Sequence, residues 1–297
     1  MATTDLIAHH RWVLATRPKT LWAAVCPVMI GSAMAADVGA FHVPSALACL
    51  LGAVLIQIGT NFANDYWDGV KGTDANRLGP PRAVASGLIK AQVMKGAVIF
   101  TFCLVWIPGA YIIYRGGSVY LWIGLASIAS GLAYTGGPYP LGYHGWGELF
   151  VLVFFGPVAV GGTYYLQAYE LPPEVLIASL APGLFSVAIL TANNLRDIDG
   201  DREAGKKTLA VCYGAGFAKL EYVVCVVVAA VGVPVALVWY TGGHRWALAG
   251  AATLALGAFF LRIVFTYSDP GALNRVLAGT GVMLLVYSLL FSVGWLI

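Results

Sequence analysis

Nine long apolar runs dominate this sequence and limit the folds that are open to it. They cover roughly residues 20–37, 44–64, 93–114, 118–136, 147–168, 174–195, 217–240, 245–267 and 274–296. A helix needs about 20 mainly apolar residues to cross the hydrocarbon core of a bilayer, and in lipid its backbone must satisfy its own hydrogen bonds. The sequence therefore predicts an all-α, polytopic membrane protein with nine transmembrane helices, forming one integral-membrane domain over residues 1–297.

The composition excludes several classes of protein. Charged residues make up 10% of the chain and apolar residues 59%, with a mean hydropathy of +0.79. Soluble domains carry about 25% charged residues, so a soluble enzyme, a disordered protein and a nucleic-acid-binding protein with a basic surface are all excluded. The five cysteines contain no CxxC pair and predict neither a zinc site nor a disulfide framework. Residues 1–20 are polar and lack the apolar core of a cleaved signal peptide.

The basic residues are distributed unevenly between the two sides of the predicted bundle. With nine helices, the N-terminus and the connections after the even-numbered helices share one side, and 15 of the 17 Lys and Arg residues fall there. Only Arg115 and Arg245 fall on the other side. Because cytoplasmic loops carry an excess of Lys and Arg, we expect an inner-membrane protein with its N-terminus and these connections in the cytoplasm.

Half of the acidic residues fall in two short windows, at the predicted cytoplasmic ends of the second and sixth helices. Carboxylates are costly near the bilayer, so two matched clusters indicate a functional site more than solvated helix ends. The seven acidic residues, of fourteen in the chain, are Asp65, Asp68, Asp74, Asp197, Asp199, Asp201 and Glu203.

The first window places its polar side chains on one face of a helix. Asn61, Asp65 and Asp68 are spaced i, i+4 and i+7, and Asn64 lies one step round the helix. Asp74 lies off this face in a continuous helix. We expect the glycines of the window, Gly69 and Gly72, to break the helix and return Asp74 to the same point.

The second window follows the same pattern. Asn193, Asp197 and Asp201 are spaced i, i+4 and i+8, and Asn194 follows Asn193 directly. Asp199 is about 200° from Asp197 on a continuous helix, so it is a weaker candidate. The two windows lie four helices apart, which suggests a duplicated four-helix unit, about 20–136 and 147–267, with a last helix added.

Paired carboxylate windows beside basic residues are suited to a magnesium-bound diphosphate. Mg²⁺ binds a few carboxylates, waters and phosphate oxygens, and cations balance the remaining negative charge. The diphosphate then becomes a good leaving group. At a membrane the natural diphosphate ester is an isoprenoid, whose tail would lie between helices. The cations are Lys71, Arg82, Lys206 and Lys207.

At this level of detail the chain resembles the UbiA superfamily of intramembrane aromatic prenyltransferases, and within it the branch that acts on a dihydroxynaphthoate. The residues that carry the resemblance span about 11–220, and Asp74 follows Asp68 by six positions, as in the naphthoate branch. They are Arg17-Pro-Lys-Thr20, Asn64-Asp-Tyr-Trp-Asp68, Pro81-Arg-Ala-Val-Ala-Ser-Gly87, Gly136-Gly-Pro-Tyr-Pro-Leu141, Gly147-Glu148, Phe-Phe-Gly-Pro157, Gly161-Gly-Thr-Tyr-Tyr165, Asn193-Asn-Leu-Arg-Asp197 and Lys207-Thr-Leu-Ala210.

The resemblance implies a fold, a cofactor and a reaction. The fold is nine helices around a central cavity open to the cytoplasm, and the cofactor is Mg²⁺. The reaction transfers a polyprenyl group from polyprenyl diphosphate to 1,4-dihydroxy-2-naphthoate, with loss of CO₂ and diphosphate, and gives demethylmenaquinol, which is oxidised to demethylmenaquinone. The decarboxylation is implied by the resemblance alone. Membrane lipid surrounds the protein, and no nucleic acid is a partner.

Site residues are expected from both lines of reasoning. We expect catalytic roles for Asp65, Asp68, Asp197, Asp201, Lys71 and Arg82, and metal ligands among Asp65, Asp68, Asp74, Asn193, Asp197 and Asp201. Substrate contacts are expected from Asn61, Asn64, Asp74, Tyr134, Tyr139, Glu148, Asn193, Asn194, Arg196, Lys206 and Lys207.

Plainer interpretations exist for some of these residues. Loop lysines also serve topology, the amides also pack helices, and Arg196 also pairs with a neighbouring carboxylate. The tyrosines are also interfacial aromatics, and either Glu148 or His144 is a candidate base.

Two alternative functions remain at this stage. A sister enzyme would use 4-hydroxybenzoate or homogentisate as the acceptor and would share the same motifs. A cation-coupled transporter would also cluster carboxylates, but transporter sites lie near the bilayer midplane on broken helices. Here the carboxylates lie at one predicted membrane face, which favours the enzyme.

Overall fold

The computed structural model describes residues 11–73 and 78–297, and all regular structure in these ranges is helical. A segment that is helical from Arg11 and ends at Thr20 precedes nine apolar helices. Their bounds are α1 Trp22–Asp37, α2 Val43–Lys71, α3 Ala91–Gly116, α4 Ser118–Ala133, α5 Gly147–Ala168, α6 Pro173–Arg196, α7 Leu209–Thr241, α8 Arg245–Thr266 and α9 Pro270–Leu296. A short helix, Ile198–Glu203, follows α6.

Seven of these helices, α2, α3 and α5 to α9, are each long and apolar enough to cross a membrane. Helix α1 meets the same criterion together with Arg11–Thr20, from which it is bent by 46°, and α4 is shorter at 16 residues. The described part of the chain is therefore an all-helical polytopic membrane protein with seven or eight candidate spans. The predicted runs lie where the helices lie; within α7, Gly214 is non-helical (φ 87°, ψ 170°), so a short helical stretch from Leu209 precedes the predicted run.

Helix α6 lies at the centre of the larger of two cores. Its buried apolar side chains belong to this core, with Phe185 and Ala188 fully buried, and the helix packs against α1, α5, α7 and α9. The approach of α5 to α6 depends on two glycines. A Cβ at Gly156 would lie 2.8 Å from the carbonyl oxygen of Ser179, and one at Gly183 would lie 2.8 Å from that of Leu152. Small residues allow such backbone contact between membrane helices.

A smaller core holds α2 and α3 together. Its buried side chains include Phe62 of α2 and Met94, Val98 and Phe102 of α3. Residue Gly59 faces this core, where a Cβ would lie 3.0 Å from the Phe102 ring. Many large apolar side chains outside both cores are exposed on the bundle surface, such as Ile107, Trp122 and Trp239, as expected of helices that contact lipid.

Helix α5 is not uniform. A π-helical segment, Phe154–Gly161, interrupts it where Pro157 cannot donate a backbone hydrogen bond. Gly156 adopts non-helical angles there (φ −105°, ψ −105°), which places the break beside the α6 contact.

Candidate active site

A polar cavity of about 570 Å³ lies where α2 and α6 end. Both acidic windows contribute to its wall, together with the loop between α4 and α5 and the segment before α1. The predicted site residues in its wall are Asn61, Asn64, Asp68, Lys71, Arg82, Tyr134, Asn193, Asn194, Arg196, Asp197, Asp201 and Lys206. The structure therefore brings most of the predicted set to one place.

An apolar groove of about 240 Å³ adjoins the polar cavity. It runs among α1 to α5 and is lined by aliphatic and aromatic side chains, with Phe154 and Val158 from the π-helical segment. The cavity and the groove share five lining residues: Ala23, Gln57, Tyr134, Val151 and Phe155. A ligand with a charged head and an apolar tail therefore has one continuous binding surface.

The asparagines of the first window are held by hydrogen bonds to neighbouring segments. Asn61 Nδ2 donates to the carbonyl oxygen of Thr16 at 3.0 Å, which fixes the segment before α1 against α2. Asn64 Oδ1 accepts from Thr135 Oγ1 at 2.9 Å, which fixes the end of α4. Both asparagines are buried at the cavity wall.

Asp68 is the buried carboxylate of the first window that faces the cavity. Its Oδ1 accepts from Tyr143 Oη at 2.7 Å and from Thr73 Oγ1 at 3.3 Å. Its Oδ2 lies 3.8 Å from a guanidinium nitrogen of Arg82. Donors from three different segments therefore fix the orientation of this carboxylate.

Asp65 has a different environment from the one expected. It is 1% exposed, it does not line the cavity, and both its oxygens accept backbone hydrogen bonds. The donors are the N–H groups of Ala83 at 3.0 Å and Val84 at 3.1 Å. A carboxylate engaged in this way holds the loop that carries Arg82.

The expected helix break in the first window occurs at only one of the two glycines. Gly69 lies inside α2, where there is no room for a side chain, because a Cβ would lie 2.6 Å from Val84 Cγ1. Gly72 ends the helix in the left-handed region at φ 72°. The prediction that Gly69 breaks the helix was therefore wrong, because this glycine allows the distant loop that carries Val84 to pack against α2. Asp74 lies outside the described residues.

Arg196 is the centre of the second window. It is 2% exposed and donates from Nε and Nη2 to both oxygens of Asp197, at 2.8 and 2.6 Å. It also donates to Asn193 Oδ1 at 2.8 Å and to Asn274 Oδ1, on α9, at 2.7 Å. Arg196 therefore pairs with a neighbouring carboxylate, as the plainer interpretation of the sequence proposed. This pairing orients Asp197 at the cavity wall.

The other second-window carboxylates differ from each other in burial. Asp201 is buried, and its Oδ1 lies 3.0 Å from Lys206 Nζ. Asp199, the weaker candidate, has an 82% exposed side chain that pairs with Arg202 at 2.8 Å. The backbone N–H of Asp201 donates to the Asp197 carbonyl at 2.7 Å, which is the i to i+4 bond of a helical turn. Asp197 and Asp201 therefore lie on one side of this turn, as their spacing predicts, and both line the cavity.

Tyr134 lies just after α4, where the cavity meets the groove. Burial raises the pKa of its hydroxyl well above the usual range, and the carboxylates of Glu148, Asp201 and Asp68 add to this effect. The hydroxyl therefore stays protonated at any physiological pH and keeps a hydrogen to donate.

Three other predicted residues lie away from the cavity wall. Tyr139 is 55% exposed and stacks on His144 with ring centroids 3.7 Å apart, and Lys207 is exposed. Glu148 is buried behind the wall, where its Oε1 accepts from Asn194 Nδ2 at 3.0 Å. Of these, Glu148 still acts on the cavity, because Asn194 lines it.

The sequence reasoning missed several residues of the cavity wall, of which Tyr143 and Arg17 make the contacts most relevant to the acidic windows. Tyr143 belongs to a loop, where no periodicity marks a side chain as functional, and its contacts are visible only in the fold. Arg17 lies within a motif of the family resemblance but was counted only as a topological charge. It lines the cavity with a positive φ of 52°, and its Nη2 donates to the Asn61 carbonyl at 3.3 Å.

The donor atoms at the cavity wall suit Mg²⁺ more than a softer metal. They are carboxylate and amide oxygens, and among the described residues no three His, Cys, Asp or Glu side chains form a metal cluster by themselves. Mg²⁺ is commonly held by one or two carboxylates together with substrate phosphates, so this arrangement fits it.

The fold and the site together define an integral membrane protein with a cavity lined by charged side chains and an apolar groove beside it. The chain belongs to the UbiA prenyltransferase family, whose profile matches residues 24–296. The resemblance noted from the sequence is thereby confirmed.

Similar curated proteins cover nearly the whole chain. Three are named 1,4-dihydroxy-2-naphthoate octaprenyltransferase. The Escherichia coli protein is 38% identical over 99% of this chain and 97% of its own length. That of Haemophilus influenzae is 36% identical over 96% of each chain, and that of Mycobacterium tuberculosis is 39% identical over 94% of each.

Solved structures share the fold. A UbiA homolog from Archaeoglobus fulgidus bound to GPP and Mg²⁺ matches with a TM-score of 0.64 at 13% identity, over 97% of this chain and 100% of that chain. A digeranylgeranylglyceryl phosphate synthase matches with a TM-score of 0.60 at 18% identity, over 97% and 99% of the two chains.

Proposed function

We propose that this protein transfers a polyprenyl group from polyprenyl diphosphate to 1,4-dihydroxy-2-naphthoate, with loss of CO₂ and diphosphate, and so makes demethylmenaquinol, which a separate two-electron acceptor oxidises to demethylmenaquinone. The observation that carries the proposal is the continuity of the polar cavity with the apolar groove through Tyr134 and Phe155. The choice of acceptor is supported by the names of relatives that are 36–39% identical over nearly full length.

The charged groups of the cavity have two proposed tasks: the carboxylates hold Mg²⁺, and the basic side chains contact the negatively charged substrate groups. Asp68, Asp197 and Asp201, with Asn64 and Asn193, would hold Mg²⁺, and Asp74 is proposed with them. When bound, this ion supplies positive charge that stabilises the departing diphosphate. The cations that contact the diphosphate or the acceptor carboxylate are Arg17, Lys71, Arg82 and Lys206.

The reaction needs no net proton. The C–O bond between the allylic carbon and the diphosphate breaks, and its electron pair leaves with the diphosphate. The acceptor ring carbon that bears the carboxylate forms the new C–C bond. The bond to the carboxylate then breaks, and its electron pair returns to the ring as CO₂ leaves. The Tyr134 ring, at the junction of cavity and groove, is placed to stabilise the allylic cation through its face.

The apolar groove gives the intermediate cation a second form of protection. Its lining is aliphatic and aromatic, with Ile128, Val151 and Phe155 near the polar end, so water has few polar partners there. Exclusion of water favours attack by the acceptor ring over hydrolysis.

We further propose that α4 is a ninth span and that the cavity opens to the cytoplasm. At its N-terminal end, α4 is joined to α3 by Gly117 alone. This end lies beside the C-terminal end of α5, where Arg115 Nε donates to the Leu166 carbonyl at 3.0 Å. At the other end Thr135 accepts from Lys71 at the end of α2. A helix that connects these two faces crosses the bilayer, although its 16 residues span only about 24 Å.

The same arrangement agrees with a duplicated unit. The acidic windows end α2 and α6, the second helix of each four-helix half, and the side rich in Lys and Arg is the side of the cavity. In a cysteine-free background, an impermeant thiol reagent added outside the cell should label Ser118→Cys and spare Pro138→Cys. Labelling of both positions, or of Pro138→Cys alone, would contradict the topology.

The function is tested with purified protein in lipid, Mg²⁺, an allylic diphosphate and 1,4-dihydroxy-2-naphthoate that carries ¹⁴C in its carboxyl group. Released label and lipophilic product are followed together. Equal amounts of both, dependent on Mg²⁺ and lost in Asp68→Ala and Asp197→Ala, are expected. Asp269→Asn is the matched control, because Asp269 caps the first turn of α9, away from the cavity.

The acceptor is tested in the same assay. Prenylation of 4-hydroxybenzoate or homogentisate in place of the naphthoate, without release of label, would overturn the acceptor and keep the diphosphate site. If folded protein prenylates none of the three acids, the prenyltransferase proposal itself fails.

A further inference from the structure

Tyr143 connects the two acidic windows of the cavity. It ends the 3₁₀ turn Leu141–Tyr143, in the loop between α4 and α5, and it lines the cavity. Its hydroxyl donates to Asp68 Oδ1 at 2.7 Å, and its carbonyl oxygen accepts from the Lys207 backbone N–H at 2.7 Å. One residue is thus bonded to segments that lie more than 130 positions apart in the sequence.

The ring of Tyr143 also contacts two cations. Lys71 Nζ and Lys206 Nζ each lie 4.9 Å from its centroid. Lys71 also donates to the Thr135 carbonyl at 2.6 Å and lies 5.8 Å from the Trp67 ring centroid, and Lys206 also pairs with Asp201 at 3.0 Å. The negative face of an aromatic ring attracts cations, so the ring holds both ammonium groups at the cavity wall.

These contacts have two separate consequences for a bound diphosphate. The hydroxyl fixes the orientation of Asp68, so that carboxylate needs no reordering when it binds an ion. The ring holds two like charges near each other without a ligand, so their positions are set before an anion arrives. Preorganisation of this kind raises affinity by removing the cost of ordering side chains at binding.

We infer that Tyr143 is a positioning residue that prearranges Asp68 for Mg²⁺ through its hydroxyl and Lys71 and Lys206 for the diphosphate through its ring. This inference rests on the proposed function, which supplies the ligand. Tyr143 takes part in no bond that is made or broken. The two parts of the side chain have different tasks, and two substitutions separate them.

The test measures binding of geranyl thiodiphosphate, an unreactive donor analogue, as the rise in thermal midpoint of the full-length protein in lipid nanodiscs, at varied Mg²⁺. Tyr143→Phe keeps the ring and removes the hydroxyl. We expect its Mg²⁺ requirement for binding to rise about tenfold, the effect of losing one hydrogen bond to a charged group, while affinity at saturating Mg²⁺ stays near wild type. Tyr143→Leu removes both parts and should also weaken binding at saturating Mg²⁺ about tenfold, through two cation–π contacts.

Matched controls are Tyr213→Phe and Tyr213→Leu, because Tyr213 is 68% exposed on α7 and outside the cavity. The ligand-free midpoint reports on structure alone, and we expect Tyr143→Phe to leave it unchanged. If Tyr143→Leu does not fold, the Mg²⁺ requirement of Tyr143→Phe decides.

The outcomes separate the two proposals. An unchanged or lowered Mg²⁺ requirement in Tyr143→Phe overturns the positioning role, even where the wild type prenylates the naphthoate. A folded Tyr143→Leu with wild-type affinity overturns the role of the ring. Wild-type protein that does not bind the analogue at any Mg²⁺ concentration overturns the proposed function instead.

Discussion

The carboxylate of Asp65 accepts the backbone N–H of Ala83 at 3.0 Å, and this bond places the residue before Ala83 at the cavity. That residue is Arg82, which lies 3.8 Å from Asp68. Asp65 and Asp68 therefore have different surroundings, although they are only three residues apart. Asp65 holds the loop, and Asp68 faces the cavity.

Substitution of the two aspartates should separate stability from binding. Asp65→Ala leaves the buried N–H groups of Ala83 and Val84 without their acceptor, which costs about 2–4 kcal/mol, so the thermal midpoint in detergent should fall. Asp68→Ala should keep the midpoint within a few degrees and abolish the Mg²⁺-dependent stabilisation by geranyl thiodiphosphate. A stable Asp65→Ala protein that has lost only ligand binding would show instead that Asp65 is a metal ligand.

Arg196 should be essential for stability because it is buried among four hydrogen bonds. Arg196→Met leaves the Asp197 carboxylate without its cation, and removing one partner of a buried pair costs about 3–5 kcal/mol. Arg196→Lys should recover little, because an ammonium group cannot reproduce the two-pronged contact. Thermal unfolding in detergent measures both. The matched control, Arg202→Ala, breaks an exposed pair with Asp199 and should change stability by less than about 0.5 kcal/mol; an equal effect of the two would refute the argument.

Gly124 should limit the length of the prenyl tail. It lines the groove about 15 Å along α4 from Tyr134, and a Cβ there would meet no atom within 4 Å. Gly124→Leu should therefore lower kcat/KM for a long polyprenyl diphosphate about tenfold, while geranyl diphosphate, whose tail ends before this depth, changes little. Gly96→Leu is the matched control, since Gly96 also faces open space but lies outside the groove. Equal losses with both donors would place the tail elsewhere.

Glu148 should act by orienting Asn194 and not as a base. Its Oε1 accepts from Asn194 Nδ2, a bond that a glutamine carbonyl can also accept. Turnover of Glu148→Gln should therefore stay within about threefold of wild type, whereas Glu148→Ala leaves the buried amide unpaired and should lose about tenfold. The measurement is kcat at saturating substrates. A loss in Glu148→Gln as large as in Glu148→Ala would support the base that the sequence suggested.

The sequence determined the helices and the site region, because both depend on local physics. Apolar runs of bilayer length form helices wherever lipid removes water from the backbone, so the predicted runs coincide with α1 to α9. The spacing of Asn193, Asp197 and Asp201 placed them on one stripe, and all three line the cavity. The position of each window at a helix end followed from the same pattern.

Only the tertiary structure decided which way each polar side chain turns. Helical spacing puts Asp65 and Asp68 on nearly the same face, but the loop that packs against Gly69 also covers Asp65, so Asp68 alone reaches the cavity. Tyr143 contacts Asp68 because a loop 75 residues later returns to the end of α2. The periodicity of a helix fixes angles about its own axis, whereas the partner of each face is set by segments that are distant in the sequence.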